Sequence, residues 1–253
     1  MRLSREGHSV SASILHWPKP DAAVERLRAA GCRVYERQHR RLFSLALKAC
    51  AQDPQAWRAE RFIRKESPDF VVISCGGFAD DLWWSEACRK VGVPYVVIAQ
   101  AASETWWPDD VHFSAIRSAY RAARAVFFVS QGNLRLVERM LAGPIPNARV
   151  ISNPFNVDYN AISSYPSTDP TFNLACVARL EPSAKGQDLL LEVLNLQKWR
   201  RRNLRVSFFG NGTCAEGVRA LARFYDLNNV NFEGHVGNVE EIWKSNQLLL
   251  LPS

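Results

Sequence analysis

Two cations lie six positions apart in the stretch CVARLEPSAKGQDLLLEVL, residues 176–194. Arg179 ends an apolar run, and Lys185 directly precedes Gly186 and a periodic apolar segment. This pattern predicts a strand, a turn over LEPSA and a helix from Gln187. Ligands of parallel sheets bind outside the carboxyl ends of the strands, so we expect both side chains at that edge. An arginine fork, a lysine point charge and free helical N–H groups there could hold a diphosphate. The alternative is a turn with two solvated cations.

Small residues follow the next two apolar runs. Gly210 and Gly212 follow the second run, and His235 and Val236 follow the third. We predict that the two glycines leave room for a ligand and that Gly186 lets the backbone approach it. Backbone groups near His235 could contact a nucleobase. Each segment could also be a simple tight turn, because a lone G-x-G is weak evidence.

Apolar runs that alternate with amphipathic segments must position these residues. Continuous runs rich in Val, Ile and Phe suit parallel strands that are covered on both faces, and the alternation favours a doubly wound α/β architecture. The predicted strands are Ser9–Leu15, Cys32–Glu36, Asp69–Ser74, Pro94–Ala99, Ala125–Ser130, Ala148–Ser152, Phe172–Ala178, Leu204–Gly210, Val230–Gly234 and Leu248–Pro252. The predicted helices open at Asp53-Pro54 and span Asp80–Val91, Asp109–Ala123, Gln131–Leu141, Gln187–Trp199 and Cys214–Tyr225.

A change of composition divides the chain. The stretch NPFNVDYNAISSYPSTDPT, residues 153–171, is rich in Pro, Ser, Asn and Asp and has no apolar periodicity. We therefore predict a Rossmann-like N-terminal domain over residues 1–155, a linker over 156–171 and a Rossmann-like C-terminal domain over 172–253. Two such domains would face each other across a cleft.

Composition limits the possible functions. The 253 residues carry a net charge of +7 and are 47% hydrophobic, which excludes global disorder and favours acidic partners. No apolar run approaches the roughly 18 residues of a membrane span, and the N-terminus lacks a signal-peptide core. The six cysteines show no C-x-x-C pair, so we expect reduced core residues of a cytoplasmic protein. They are Cys32, Cys50, Cys75, Cys88, Cys176 and Cys214.

The order RL…KG, GNG, NVNFEGHV and LLLLPS resembles the C-terminal domain of glycosyltransferase family 4, the group 1 glycosyl transferases of GT-B fold. The resemblance implies that Arg179 and Lys185 grip the diphosphate of a nucleotide sugar and assist departure of the leaving group. It implies that Gly210 lines the donor site and that His235 and Val236 border the base. It further implies a retaining transfer to a glycan or lipid-linked acceptor, without a metal or other cofactor.

The N-terminal half resembles the same family more loosely. AVFFVSQGNLRLVERML and ARVISNPFNVD are similar to its last N-domain strand, the helix after it and the linker entry. Gln100 stands at a strand end where the family often has a histidine near the acceptor. Gly76 and Gly77 could border the acceptor or simply form a turn. Trp106 and Trp107 could stack on an acceptor sugar or lipid, or pack under a loop.

The aspartate pairs do not predict a metal site. Asp80-Asp81 and Asp109-Asp110 are adjacent pairs at predicted helix starts, where negative charge favours the helix dipole. Two basic clusters, residues 37–41 and 198–202, suit solvated faces or contact with an anionic membrane, whereas no nucleic-acid-binding motif is present.

Two parts of the family pattern are not matched. The family's first strand with its Gly-rich loop would precede SREGHSV, and its acidic motif would follow LLLLPS. We therefore expect a piece of a GT-B enzyme, truncated at both ends and by itself weakly active. The alternatives are a non-catalytic nucleotide-binding paralogue and a nucleotide-sugar epimerase.

Overall fold

The computed structural model describes residues 2–15, 22–37, 54–154, 160, 165–166 and 170–253. Two compact units make up the chain, Met1–Pro154 and Phe155–Ser253. Each unit contains a four-stranded, wholly parallel sheet with its own apolar core. This is the α/β class that the alternation of apolar runs and amphipathic segments predicts.

The N-terminal unit holds two parallel sheets. Strands β1 and β2 pair with each other, and β3, β4, β5 and β6 follow in sequence order across the second sheet. The strands are β1 Ser11–Leu15, β2 Arg33–Arg37, β3 Val71–Cys75, β4 Tyr95–Ala99, β5 Ala125–Phe128 and β6 Ala148–Val150. The helices are α1 Arg2–Arg5, α2 Ala22–Ala29, α3 Pro54–Glu66, α4 Trp83–Val91, α5 Asp110–Ala122 and α6 Gln131–Met140.

The C-terminal unit is one parallel sheet in the order β10-β7-β8-β9. Its central strand β7 has neighbours on both sides, so its carboxyl end is enclosed by the loops of β8 and β10. The strands are β7 Phe172–Val177, β8 Leu204–Phe209, β9 Val230–Gly234 and β10 Leu248–Leu249. The helices are α7 Pro182–Lys185, α8 Gln187–Asn195, α9 Gln197–Arg200 and α10 Ala215–Phe224, with a 3-10 helix over Val239–Lys244.

Local capping sets several of the helix boundaries. The Asp109 carboxylate accepts the His112 N–H at 2.8 Å at the start of α5. Ser130 caps α6 in the same way, and left-handed Gly92 ends α4. An N-cap oxygen satisfies one N–H that the first helical turn leaves free, which explains why these positions end the preceding loops.

All ten predicted strands are present, whereas several helices differ from the prediction. The helix predicted from Asp80 begins at Trp83, and α1, α2 and the 3-10 helix were not predicted. LEPSA is not a plain turn, because residues Pro182–Lys185 form the short helix α7. Pro182 suits the first helical position, since its φ is already helical and its missing N–H needs no partner there. The predicted helix over 187–199 is broken at Leu196, whose ψ of 136° is extended. Asp53 lies outside the described residues.

Four of the five described cysteines are buried and free, as predicted. Burial raises the pKa of the Cys75 and Cys88 thiols to about 12 and that of Cys176 to about 11. The expectation of a core position is wrong for Cys214, which is exposed just before α10. Cys50 lies outside the described residues.

Candidate functional site

Arg179 lies at the exit of β7 in the C-terminal unit. The chain stays extended beside β8 past the end of the strand, because the Ala178 N–H donates to the Phe209 carbonyl at 3.0 Å and the Leu180 N–H to the Asn211 carbonyl at 3.1 Å. The Arg179 side chain is 72% exposed, so its guanidinium is open to a ligand. Arg179 Nη2 lies 3.1 Å from Glu181 Oε2, which makes Glu181 a competitor for any incoming anion.

A cavity of about 270 Å³ opens beside Arg179. The loops after β7, β8 and β9 and the 3-10 helix line it, so the sheet order alone brings these segments together. Its apolar side chains can contact a flat ring, and its polar side chains offer hydrogen-bond partners. It is lined by Val177, Ala178, Arg179, Phe209, Gly210, Asn211, His235, Val236, Val239 and Ile242.

The cavity gathers some of the predicted site residues and not others. Arg179, Gly210, His235 and Val236 all line it, as the common edge of the sheet predicts. Lys185, Gly186 and Gly212 are absent from the lining. Lys185 is the last residue of α7, half-buried, and has no ion-pair partner in the described part of the chain. It therefore remains available as a second cation near the β7 exit.

The glycines serve close backbone packing. A Cβ on Gly210 would clash with the Ala178 carbonyl, and one on Gly212 with the Leu180 carbonyl. Gly210 also has a φ of +142°, which L side chains rarely adopt. The neighbouring loop therefore requires glycine at both positions, and Gly210 also lines the cavity. That the two glycines leave room for a ligand stays a prediction.

Gly186 also approaches backbone. Its φ is +61°, and a Cβ there would lie 2.6 Å from the Pro252 carbonyl oxygen. Gly186 ends α7 in the left-handed conformation and leads directly into α8. Gly186 thus lies close to Pro252, and its close approach to a ligand stays a prediction.

Gln187 was missed by sequence reasoning. Its side chain is fully buried, and Nε2 donates to the Arg179 carbonyl at 2.7 Å. Oε1 is buried and has no hydrogen-bond partner among the described residues. Leaving such an acceptor unsatisfied costs about 1–3 kcal/mol, so the side chain is not explained by stability alone. A polar residue on the buried face of an apolar helix was the available signal.

The acceptor-side residues lie at one edge of the N-terminal sheet. Gln100 follows β4 and its Nε2 donates to Ser74 Oγ at 3.1 Å. Gly76 and Gly77 follow β3, and a Cβ on Gly77 would lie 3.3 Å from Trp106 Cζ3. Trp106 therefore packs on the glycine turn, although 48% of it stays exposed; Trp107 is 58% exposed.

The two aspartate pairs, at 80–81 and 109–110, differ in their relation to the helix that follows each of them. Asp109 caps α5, as its position predicts. The explanation of Asp80 and Asp81 as helix-terminal charge is wrong, because Leu82 occupies the N-cap of α4 and Asp80 Oδ2 accepts the Gly77 N–H at 2.6 Å. Burial raises the pKa of the Asp81 carboxyl, with the Arg37 guanidinium 4.0 Å away acting in the opposite direction.

The described residues contain neither a metal-binding cluster nor a membrane-spanning helix. No group of three or more His, Cys, Asp or Glu there could hold a metal ion. No helix in the same ranges is long and apolar enough to cross a membrane.

Comparison with known proteins covers both units. Residues 2–154 match the family model of the glycosyl transferase 4-like domain, and residues 171–253 match that of glycosyl transferases group 1. No curated protein matches the chain significantly.

Solved structures share the fold over nearly the whole chain. Apo WaaB, a lipopolysaccharide outer core galactosyltransferase, has a TM-score of 0.60 at 16% identity, covering 96% of this chain and 74% of its own. HepE from Anabaena with UDP and glucose has a TM-score of 0.66 at 15% identity, covering 95% and 73%. A glycosyltransferase from Rickettsia africae has a TM-score of 0.63 at 12% identity, covering 97% and 73%.

Proposed function

We propose that this chain, which belongs to the glycosyl transferase 4-like family, binds a nucleoside diphosphate sugar as its donor beside Arg179. The chain also carries a group 1 glycosyl transferase domain and is a glycosyltransferase of GT-B fold. The observation that carries the proposal is the cavity with Arg179 in its lining. Its volume of about 270 Å³ lies just below the roughly 300–1,000 Å³ range of small-molecule pockets.

The lining divides by chemistry into two parts of a nucleotide. Apolar side chains such as Phe209, Val236 and Ile242 suit the faces of a base and ribose. Asn211 and His235 offer donors and acceptors for polar edges. Arg179 can fork onto two phosphate oxygens. Structures of HepE contain UDP and UDP-glucose, which is consistent with a uridine donor here.

Arg179 and Lys185 are the proposed catalytic cations. In the reaction, the bond between the anomeric carbon and the phosphate oxygen breaks, and its electron pair leaves on the nucleoside diphosphate. Negative charge therefore grows on the leaving phosphate, and fixed cations stabilise it most strongly in the transition state. We propose that they do so without a divalent metal and, on the family resemblance, with retention at the anomeric carbon. An acceptor hydroxyl oxygen forms the new bond to the anomeric carbon, and its proton passes to the leaving phosphate.

The acceptor is proposed to be a glycan or a lipid-linked sugar. Trp106 and Trp107 present partly open rings, which can stack on the apolar face of a sugar. Gln100 offers an amide to a hydroxyl at the end of β4. Gly76 and Gly77 keep the turn beside Trp106 narrow. A lipid-linked acceptor would bring the enzyme from the cytoplasm to the inner face of a membrane.

Titration calorimetry with UDP and GDP tests the donor site. We expect one of them to bind the wild-type chain and Arg179→Ala to weaken it by about tenfold or more, since a charged hydrogen bond contributes about 1.5–3 kcal/mol. Arg202→Ala is the matched control, because Arg202 lies over Trp199 at 5.0 Å and lines no part of the cavity. Unchanged affinity in Arg179→Ala would remove the phosphate assignment.

A further inference from the structure

We infer that Gln187 is a positioning residue for Arg179, because its buried amide holds the backbone carbonyl from which the guanidinium projects to the cavity. Gln187 is fully buried and its Nε2 lies 2.7 Å from the Arg179 carbonyl oxygen. The role rests on the proposed function, in which Arg179 binds the diphosphate.

The sheet leaves the Arg179 carbonyl without a ladder partner. On the β10 side of β7, the Leu250 N–H donates to the Ala175 carbonyl at 2.8 Å. Two residues further along, this register places Pro252 opposite the Val177 carbonyl, and Pro252 has no N–H to donate. The β10 ladder of the described residues therefore stops before Arg179, whose carbonyl accepts from the Gln187 side chain instead.

Arg179 is thereby held on both sides. The N–H groups of its neighbours Ala178 and Leu180 donate to β8-side carbonyls at 3.0 and 3.1 Å. These contacts fix the backbone towards β8, whereas the Gln187 contact fixes it towards α8. Without the Gln187 donor, the peptide after Arg179 would keep only the Leu180 contact, and we expect the guanidinium to sample directions away from the cavity more often.

Gln187 is itself held in a rigid place. It directly follows Gly186, whose left-handed backbone packs against the Pro252 carbonyl. Gln187 Oε1 has no hydrogen-bond partner among the described residues, so the amide acts through its Nε2 donor to Arg179. An apolar side chain of equal size would fill the space without this donor.

A second buried glutamine separates positioning from general stability. Gln247 Oε1 accepts the Asn173 N–H at 2.7 Å, at the opposite end of β7, and the residue is 9% exposed. Each glutamine makes one side-chain hydrogen bond to the backbone: Gln187, at the start of α8, to Arg179 after β7, and Gln247, just before β10, to Asn173 in β7. Of these two glutamines only Gln187 bonds to Arg179, since the Gln247 side chain bonds to Asn173.

The experiment is calorimetric titration of UDP and of GDP into the full chain carrying Gln187→Met or Gln247→Met, with thermal unfolding of each variant. We expect Gln187→Met to weaken nucleotide binding about tenfold, the effect of one lost hydrogen bond. Gln247→Met should lower the melting temperature comparably and leave the dissociation constant at the wild-type value.

The Gln187→Glu variant distinguishes loss of the hydrogen bond from a packing defect, because only the hydrogen bond should depend on pH. Burial should raise the pKa of the introduced carboxyl, and its protonated form can donate to the Arg179 carbonyl. The affinity of this variant relative to wild type should therefore rise between about pH 8 and about pH 6. Wild type at each pH corrects for titration of the nucleotide itself.

The outcomes separate the two proposals. Equal nucleotide affinity in wild type and Gln187→Met, or a relative affinity of Gln187→Glu that is independent of pH, overturns the positioning role and leaves the donor site intact. Failure of the wild-type chain to bind any nucleoside diphosphate overturns the proposed function, and the positioning role with it.

Discussion

Gly186 lies against Pro252 so closely that a Cβ on Gly186 would be 2.6 Å from the Pro252 carbonyl oxygen. This contact joins the α7–α8 junction to the segment after β10, on the far side of Arg179 from β8. It accounts for a glycine between the second cation and the helix, since both its φ of +61° and the adjacent carbonyl exclude a side chain.

Gly186→Ala should destabilise the C-terminal unit, because the new methyl meets a backbone atom that cannot move away cheaply. We expect a loss of about 1–3 kcal/mol in the free energy of unfolding, measured by denaturant titration. Gly217→Ala is the matched control. Gly217 lies within α10 with open space around it, so alanine there should be neutral or stabilising. Equal stability of Gly186→Ala and wild type would refute the contact.

Glu181→Gln should strengthen nucleotide binding. The carboxylate lies 3.1 Å from Arg179 Nη2, so a diphosphate must replace this ion pair when it binds. Removing the negative charge frees Arg179 from its ion pair and removes the repulsion between Glu181 and the diphosphate. We expect nucleotide affinity to rise about threefold at low salt, and this gain to shrink as salt screens the charges. Titration calorimetry at two salt concentrations measures this. Weaker binding by Glu181→Gln would mean that Glu181 orients Arg179 instead of competing for it.

Glu66→Gln should remove part of the stability of the N-terminal unit at neutral pH. Hydrogen bonds from Ser11 Oγ at 2.8 Å and Tyr35 at 2.9 Å hold the pKa of the Glu66 carboxyl below its usual value. A depressed pKa means that the ionised form stabilises the fold above the unfolded-state pKa, and that this contribution disappears as the pH falls through the folded-state pKa.

Melting temperatures across a pH series should therefore show a gap between wild type and Glu66→Gln at neutral pH, and the gap should close in acid. Glu60→Gln is the control, because Glu60 pairs with Arg64 along the surface of α3 at 2.9 Å. A gap that stays constant down to acid pH would show that the Glu66 charge does not supply this stability.

Arg200→Ala should reduce stability without changing membrane contact. Its Nη2 donates to Asn195 Oδ1 at 2.8 Å and to the Tyr225 carbonyl, so this guanidinium ties the end of α8 to the end of α10. Lys198 and Arg201 are also exposed members of the same basic cluster. Only their joint replacement by alanine should weaken sedimentation with vesicles that contain anionic lipid.

Neutral vesicles provide the comparison for that experiment. Loss of vesicle binding in Arg200→Ala at unchanged melting temperature would contradict the structural role of Arg200. Equal sedimentation of the wild-type chain with neutral and anionic vesicles would contradict an electrostatic contact with a membrane altogether.

The secondary-structure elements and the α/β fold class could largely be predicted from the sequence. Apolar runs such as residues 172–177 and 204–209 recur as buried parallel strands, because such strands must be apolar on both faces. The RL…KG motif identified the family, and the common carboxyl edge of parallel strands placed Arg179, Gly210 and His235 together. These inferences depend on local periodicity and on rules of sheet topology, both of which one sequence contains.

The contacts that each residue makes could be seen in the tertiary structure alone. Val239 and Ile242 join the cavity through a short 3-10 helix that has no clear periodicity. Gly186 faces Pro252, which follows β10, and Gln187 bonds to the Arg179 carbonyl. Such contacts depend on the distance between backbones from different parts of the chain. Spacing along a single sequence cannot supply that distance.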